Sequence, residues 1–131
     1  MKPNDFDSYV GIPWRDGGRT RAGVDCWGLF RLVYSEVFKI ELASYSEQYT
    51  TALDKTVIRE LVNGGKDRWE RVDQPNPGDG ILLNIANRVH IGIAVGSGYM
   101  LHIEKGSGSI IESYNSLKMQ NALEGYYRYT P

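Results

Sequence analysis

At 131 residues the chain is long enough to bury the core of one domain, residues 1–131, without disulfide or metal staples. A formal net charge of -1, with 24% charged and 41% hydrophobic residues, is ordinary for a globular protein and offers no basic footprint for nucleic acid or an anionic membrane. No stretch approaches the ~18 apolar residues of a membrane span, and Met1-Lys2-Pro3-Asn4-Asp5-Phe6-Asp7 has no signal-peptide-like run, so neither membrane insertion nor that secretion route is expected.

Phe6 to Val10 is predicted as a short helical turn, followed by a loop over Gly11-Ile12-Pro13-Trp14-Arg15-Asp16-Gly17-Gly18-Arg19. Asp25 is an N-cap candidate, since its carboxylate can accept from first-turn amides. The helix then runs from Cys26 to about Lys39, with Leu29, Phe30, Val33 and Val37 at helical spacing. Gly28 in its first turn costs ~1 kcal/mol relative to alanine, which makes sense if another segment approaches the helix backbone there. A second helix is expected over Thr51 to Val62, ended by Asn63-Gly64-Gly65, and Lys66-Asp67-Arg68 reads as a solvated turn. A short extended stretch, Trp69 to Val72, precedes the turn Pro75-Asn76-Pro77-Gly78-Asp79. Strands follow at Gly80–Ile85, Val89–Val95, Tyr99–Lys105, Ser109–Tyr114 and Gly125–Tyr129. Helices first and strands after predict an α+β fold with an antiparallel sheet.

The only two histidines, His90 and His102, fall on adjacent predicted strands. A two-residue turn at Ser97-Gly98 would pair Ile93 with His102 and set the imidazoles on opposite faces. A three-residue loop, Gly96-Ser97-Gly98, pairs Gly92 with His102 and His90 with Glu104, so both imidazoles share a face, roughly 7–8 Å apart at the backbone. The loop composition favours the second register. Gly92 and Ala94 would then leave room on that face for the helix that begins with Cys26.

Cys26 is the only cysteine, so no internal disulfide forms and the thiol is either inert in the core or reactive. At a helix start the macrodipole and free amides favour a thiolate, and beside His90 the pair can exist as thiolate and imidazolium, well below the free-thiol pKa of ≈ 8.5. The amide of Cys26 or of a neighbouring loop residue would hold an oxyanion. His102 would orient His90, with Glu104 a rival for that task. One Cys with two His also resembles a zinc ligand set, but no CxxC or HxxxH spacing accompanies it, and neither metal nor cofactor is expected. Trp14, Trp27 and Trp69 are read as core or cleft walls.

The segment from Trp14 to Val33, with Asp25-Cys26 and Gly28, resembles the nucleophile motif of NlpC-type cell-wall cysteine peptidases. Pro77-Gly78-Asp79 resembles their second block, and His90-Ile91-Gly92-Ile93-Ala94-Val95-Gly96 the block carrying the base. His102 stands where their third, polar triad residue is found. The resemblance implies a reduced papain-like fold, catalytic Cys26, His90 and His102, and cleavage of the γ-D-glutamyl–diamino acid bond of peptidoglycan stem peptides. It also implies a substrate or oxyanion region around Trp14, Asp25, Trp27 and Glu104. Trp14 stands where the family commonly has a tyrosine, and its indole can donate but not accept. The version Asp25-Cys26-Trp27-Gly28-Leu29, with the ending Glu124-Gly125-Tyr126-Tyr127-Arg128, is similar to small tail peptidases of long-tailed phages. That similarity implies a place in the virion tail, other tail-tip proteins as partners, and a role in wall penetration and tail assembly. A structural tail-tip subunit of the same fold, with little turnover, is the alternative, and a thiol acyltransferase or amidase on another substrate a weaker one.

Overall fold

The computed structural model describes residues 3–42, 69–85 and 88–130; the helix expected over Thr51 to Val62 and the turn at Lys66-Asp67-Arg68 lie outside them. A 3-10 helix, Pro3–Tyr9, opens the chain where a single helical turn was expected. Its end is pinned by Ser109, whose Oγ accepts from the Ile12 amide at 2.9 Å and donates to the Tyr9 carbonyl. The stretch after it is not all loop. Strands β1 (Arg19–Thr20) and β2 (Gly23–Val24) form a small antiparallel ladder, too short for any periodicity to reveal.

Helix α1, Cys26–Val33, starts where the Asp25 cap predicts, and the chain winds on as a π-helical turn, Tyr34–Phe38. Lys39, in the left-handed region at φ 60°, ends it. The predicted extent is therefore right, although the last turn is wider than an α-helix. Trp27, Phe30, Tyr34 and Phe38 stack successively along this helix, with ring centroids 5.3, 4.7 and 4.9 Å apart. Trp69 and Tyr129 from the sheet close against the same column, which fixes the helix to its neighbours.

Six antiparallel strands make the main sheet: β3 (Trp69–Val72), β4 (Gly80–Ile85), β5 (Arg88–Gly96), β6 (Tyr99–His102), β7 (Ile110–Ser113) and β8 (Leu123–Tyr129). They lie in the order β3-β8-β4-β5-β6-β7, so the last strand inserts between the first two. The α+β class and antiparallel sheet agree with the sequence reading. A short helix, α2 (Leu117–Ala122), was not anticipated, although Ser116 caps it by accepting from the Met119 amide at 3.3 Å.

Pleating divides the core. Leu82, Ile91, Ile93 and Leu101 face α1, together with Phe6, Trp27, Leu29 and Phe30. Ile81, Leu83, Ala94 and Met100 face the other way, against Met119 of α2. The face that carries Ala94 is thus covered by α2. The expectation that the cysteine helix would occupy it is corrected, because the longer apolar row on β5 (Ile91, Ile93) draws the larger helix to the opposite side.

The β5–β6 hairpin corrects a second detail. Ser97 and Gly98 form a two-residue turn, both at positive φ (58° and 83°), with Gly96 opposite Tyr99. A register shift between Ala94 and Gly96 then absorbs one residue, so Ala94 faces Met100 and Ile93 faces Leu101. Continued one step, this ladder puts His102 beside Gly92, where a Cβ would come 3.4 Å from the His102 Cβ. The expected register is reached by a bulge instead of a three-residue loop.

Candidate active site

Asp25 is fully buried and anchors the start of α1. Its carboxylate accepts from the amides of Gly28 at 2.7 Å and Gly17 at 3.1 Å, and pairs with the Arg19 guanidinium at 2.8 Å. The loop so tied crosses the first helical turn, and a Cβ on Gly28 would lie 2.0 Å from the Gly18 carbonyl oxygen. That crossing explains the glycine. Asp25 therefore shapes the site from behind instead of lining it.

Cys26, 1% exposed, opens the helix with its sulfur against main chain. The amides of Ile91 and Trp27 point at it and favour its thiolate, but burial dominates and pushes the thiol up to about 12. Asp25 adds to the rise. A resting thiolate of depressed pKa, expected from the helix dipole, is not what this environment supports. An eight-residue helix end cannot offset removal of the thiol from water.

Pleating places His90, His102 and Glu112 on the α2 face of the sheet, since His90 pairs with Leu83, Met100 with Glu112 and His102 with Ile110. His90 Nε2 lies 2.8 Å from His102 Nδ1, and His102 Nε2 lies 2.6 Å from Glu112 Oε1. Both imidazoles are buried, His102 to 1% exposure. Burial, and secondarily His102, lowers the His90 pKa to about 3, so the ring is neutral.

The cysteine helix and the imidazoles thus approach β5 from its two faces. β6 ends at His102, beside Gly92, and the next amide along β5, that of Ile91, is the one aimed at the sulfur. Among the described residues no hydrogen bond joins Sγ to the His90 ring. The contact made is to the N–H of the peptide that directly follows His90. His90 Nδ1, adjacent to Cγ and so close to its own backbone, is the ring nitrogen not engaged with His102.

The remaining expected residues fall elsewhere. Trp14 is half-buried, bridges to Val24, and directs its indole N–H to Asp16 Oδ1 at 2.8 Å. Its one donor is thereby turned from an oxyanion role. Trp27 is 1% exposed with its ring stacked on Phe30, and its amide reaches the sulfur. Glu104 lies beyond the end of β6, exposed, in a turn closed by Ser107 N to Glu104 O at 3.0 Å with Gly106 at φ 81°. It does not face His90; the acid in contact with His102 is Glu112, which the sequence reading missed. Alternation on β7, with Ile110 and Glu112 on one face, was the available signal.

Behind the site, buried Asp79 of the second block binds Arg128 Nη2 at 2.8 Å and Nε at 3.1 Å, tying the turn before β4 to β8. A cavity of about 230 Å³ lined by Tyr34, Phe38, Pro77 and Arg128 lies beyond the far end of α1 from Cys26. Among the described residues, no three His, Cys, Asp or Glu side chains are gathered to hold a metal ion. No helix there is long and apolar enough to cross a membrane.

The chain is 28% identical over 108 residues to a probable endopeptidase NlpC homolog of Haemophilus influenzae, covering 82% of this chain and 50% of that protein. It is 29% identical over 121 residues to the Escherichia coli K12 murein DD-endopeptidase MepS/murein LD-carboxypeptidase, covering 88% and 56%. The chain thus spans about half the length of these curated relatives. In fold it is similar to the NlpC/p60 domain of the peptidoglycan hydrolase SagA, with TM-score 0.65 at 21% identity over 95% of this chain and 93% of that one. It is also similar to NlpC2 from Trichomonas vaginalis, with TM-score 0.70 at 18% identity over 97% and 45%. The sequence pattern of the NlpC/P60 family matches residues 11–128, and the chain belongs to that family.

Proposed function

We propose that this protein is a cysteine peptidase that hydrolyses an amide bond in peptidoglycan stem peptides, the γ-D-glutamyl–diamino acid bond, with Cys26 as nucleophile and His90 as base. The observation that carries this reading is the convergence at one strand edge: the Cys26 sulfur lies against the peptide N–H following His90, whose far ring nitrogen is held by His102. The names of its relatives, murein endopeptidases among them, support the substrate class.

Because both partners are neutral at rest, the thiol proton passes to His90 Nδ1 as sulfur attacks the carbonyl carbon. The oxyanion that forms is met by the N–H of Cys26, which as the first helical residue has no intrahelical acceptor. The His90 imidazolium returns its proton to the departing amine, leaving a thioester on Cys26. Water activated by the same imidazole hydrolyses that thioester and restores the thiol. His102 holds the ring throughout.

The proposal extends to the carrier: a phage or phage-like tail tip brings the enzyme to the wall, and other tail-tip proteins bind it away from Cys26. Its support is the Asp25-Cys26-Trp27-Gly28-Leu29 version of the motif and the ending Glu124-Gly125-Tyr126-Tyr127-Arg128. Digestion of purified muropeptides, read by mass spectrometry, tests the first part. Fragments broken between D-glutamate and the diamino acid are expected; loss of a terminal residue instead would reassign the activity to a carboxypeptidase, one of the two activities in the name of the MepS relative. Mass spectrometry of purified particles tests the second, with the protein expected at low copy number. Its absence from particles would point to a free enzyme.

A further inference from the structure

Glu112 ends a chain of two hydrogen bonds that begins at the ring nitrogen of His90. An ionised carboxylate only accepts, so the 2.6 Å contact requires His102 Nε2 to carry the proton. When His102 carries only that one ring proton its Nδ1 is bare and can only accept. With His102 carrying that single ring proton, the 2.8 Å contact has His90 Nε2 donate, and a singly protonated His90 is left with its lone pair on Nδ1. Each link is directional, and the direction is set at the carboxylate. We infer that Glu112 is a positioning residue that fixes the tautomers of both histidines and thereby leaves His90 Nδ1 bare to take the Cys26 proton.

The contact is more than a surface ion pair. His102 is 1% exposed while the Glu112 side chain is 41% exposed, so the acid reaches inward from the β7 edge to the His102 ring nitrogen that His90 does not engage. Without an acceptor there, His102 is free to carry its proton on Nδ1. His90 Nε2 must then accept, and its proton moves to Nδ1, where it blocks proton transfer from sulfur. The catalytic consequence rests on the reading of Cys26 and His90 as nucleophile and base; the tautomer assignment does not.

The test uses the full chain labelled with 15N-histidine, in which only two imidazoles contribute signals. Long-range 1H–15N correlation spectra, recorded without substrate, distinguish Nε2–H from Nδ1–H rings, and Glu112→Ala and Glu112→Gln are compared with wild type. His90→Ala assigns the His102 signals. Both rings are expected as Nε2–H in wild type, as a mixture of tautomers in Glu112→Ala, and restored in Glu112→Gln, whose amide oxygen can accept. Turnover of muropeptides should fall about tenfold in kcat with little change in KM for Glu112→Ala, and stay within about threefold for Glu112→Gln. Unchanged imidazole signals in Glu112→Ala would overturn the inference, whether or not activity falls. Tautomers that respond as expected in a protein without muropeptide turnover would uphold it and remove the peptidase reading instead.

Discussion

The Cys26 sulfur rests against the main-chain amide of Ile91, the peptide N–H that directly follows His90. The cysteine helix packs on one face of β5 and the His90 ring lies on the other, and this peptide is the shown link between them. In the proposed mechanism the nitrogen that serves the sulfur is Nδ1, the one not engaged with His102. His90→Ala should therefore lower kcat by about 10²–10⁴, the usual worth of a general base. His102→Ala should cost less, because the ring it holds remains present and water can replace one hydrogen bond. Steady-state kinetics on muropeptides checks the order; equal losses would mean that His102 does more than orient.

Stability should peak between about pH 6.5 and 9. The folded-state pKa of His90 is lowered to about 3, so below 6.5 an unfolded chain takes up a proton that the folded one does not, and stability falls with pH toward 3. Cys26 is raised from 9.0 to about 12, so above 9 the unfolded chain loses a proton that the folded one keeps, and stability falls again. Denaturant melts across pH should show both limbs, and Cys26→Ala should flatten the start of the alkaline one. The acid limb of kcat/KM should likewise lie well below 6.5.

Alkylation reports the thiol directly. At neutral pH iodoacetamide should modify Cys26 slowly, with a rate that climbs through pH 9 and shows no plateau near 7, since the buried thiol is protonated. A plateau below pH 7 would mean a preformed thiolate–imidazolium pair.

Two substitutions probe the helix start. Alanine normally improves a helix by ~1 kcal/mol over glycine, yet Gly28→Ala should destabilise, because its Cβ would meet the Gly18 carbonyl oxygen at 2.0 Å. Asp25→Ala should cost about 1–2 kcal/mol through loss of the cap alone, with more from the Arg19 guanidinium left behind. Chemical denaturation measures both.

Local rules carried much of this fold. The Asp25 cap, the Gly28 close approach and the alternation on β5 were legible because each depends on neighbours within a few residues. The histidine pair was legible through its register, although the route was not: a bulge does the work assigned to a longer loop, and period-two patterning cannot distinguish them. The side of the sheet taken by α1 was misjudged, because room beside Gly92 and Ala94 says less than the apolar row of Ile91 and Ile93. Glu112 lay within reach of the alternation on β7, whereas the insertion of β8 between β3 and β4 depends on pairing across long sequence separations, which single-chain periodicity does not encode.

Whether Cys26 attacks the stem peptide is tested by a time course of muropeptide digestion by wild type and Cys26→Ala, with the enzyme itself weighed by mass spectrometry after acid quench. Cleavage by wild type, an acyl adduct on Cys26 during turnover, and neither in a folded Cys26→Ala protein are the predicted results. Cleavage by Cys26→Ala at the wild-type rate would contradict the account.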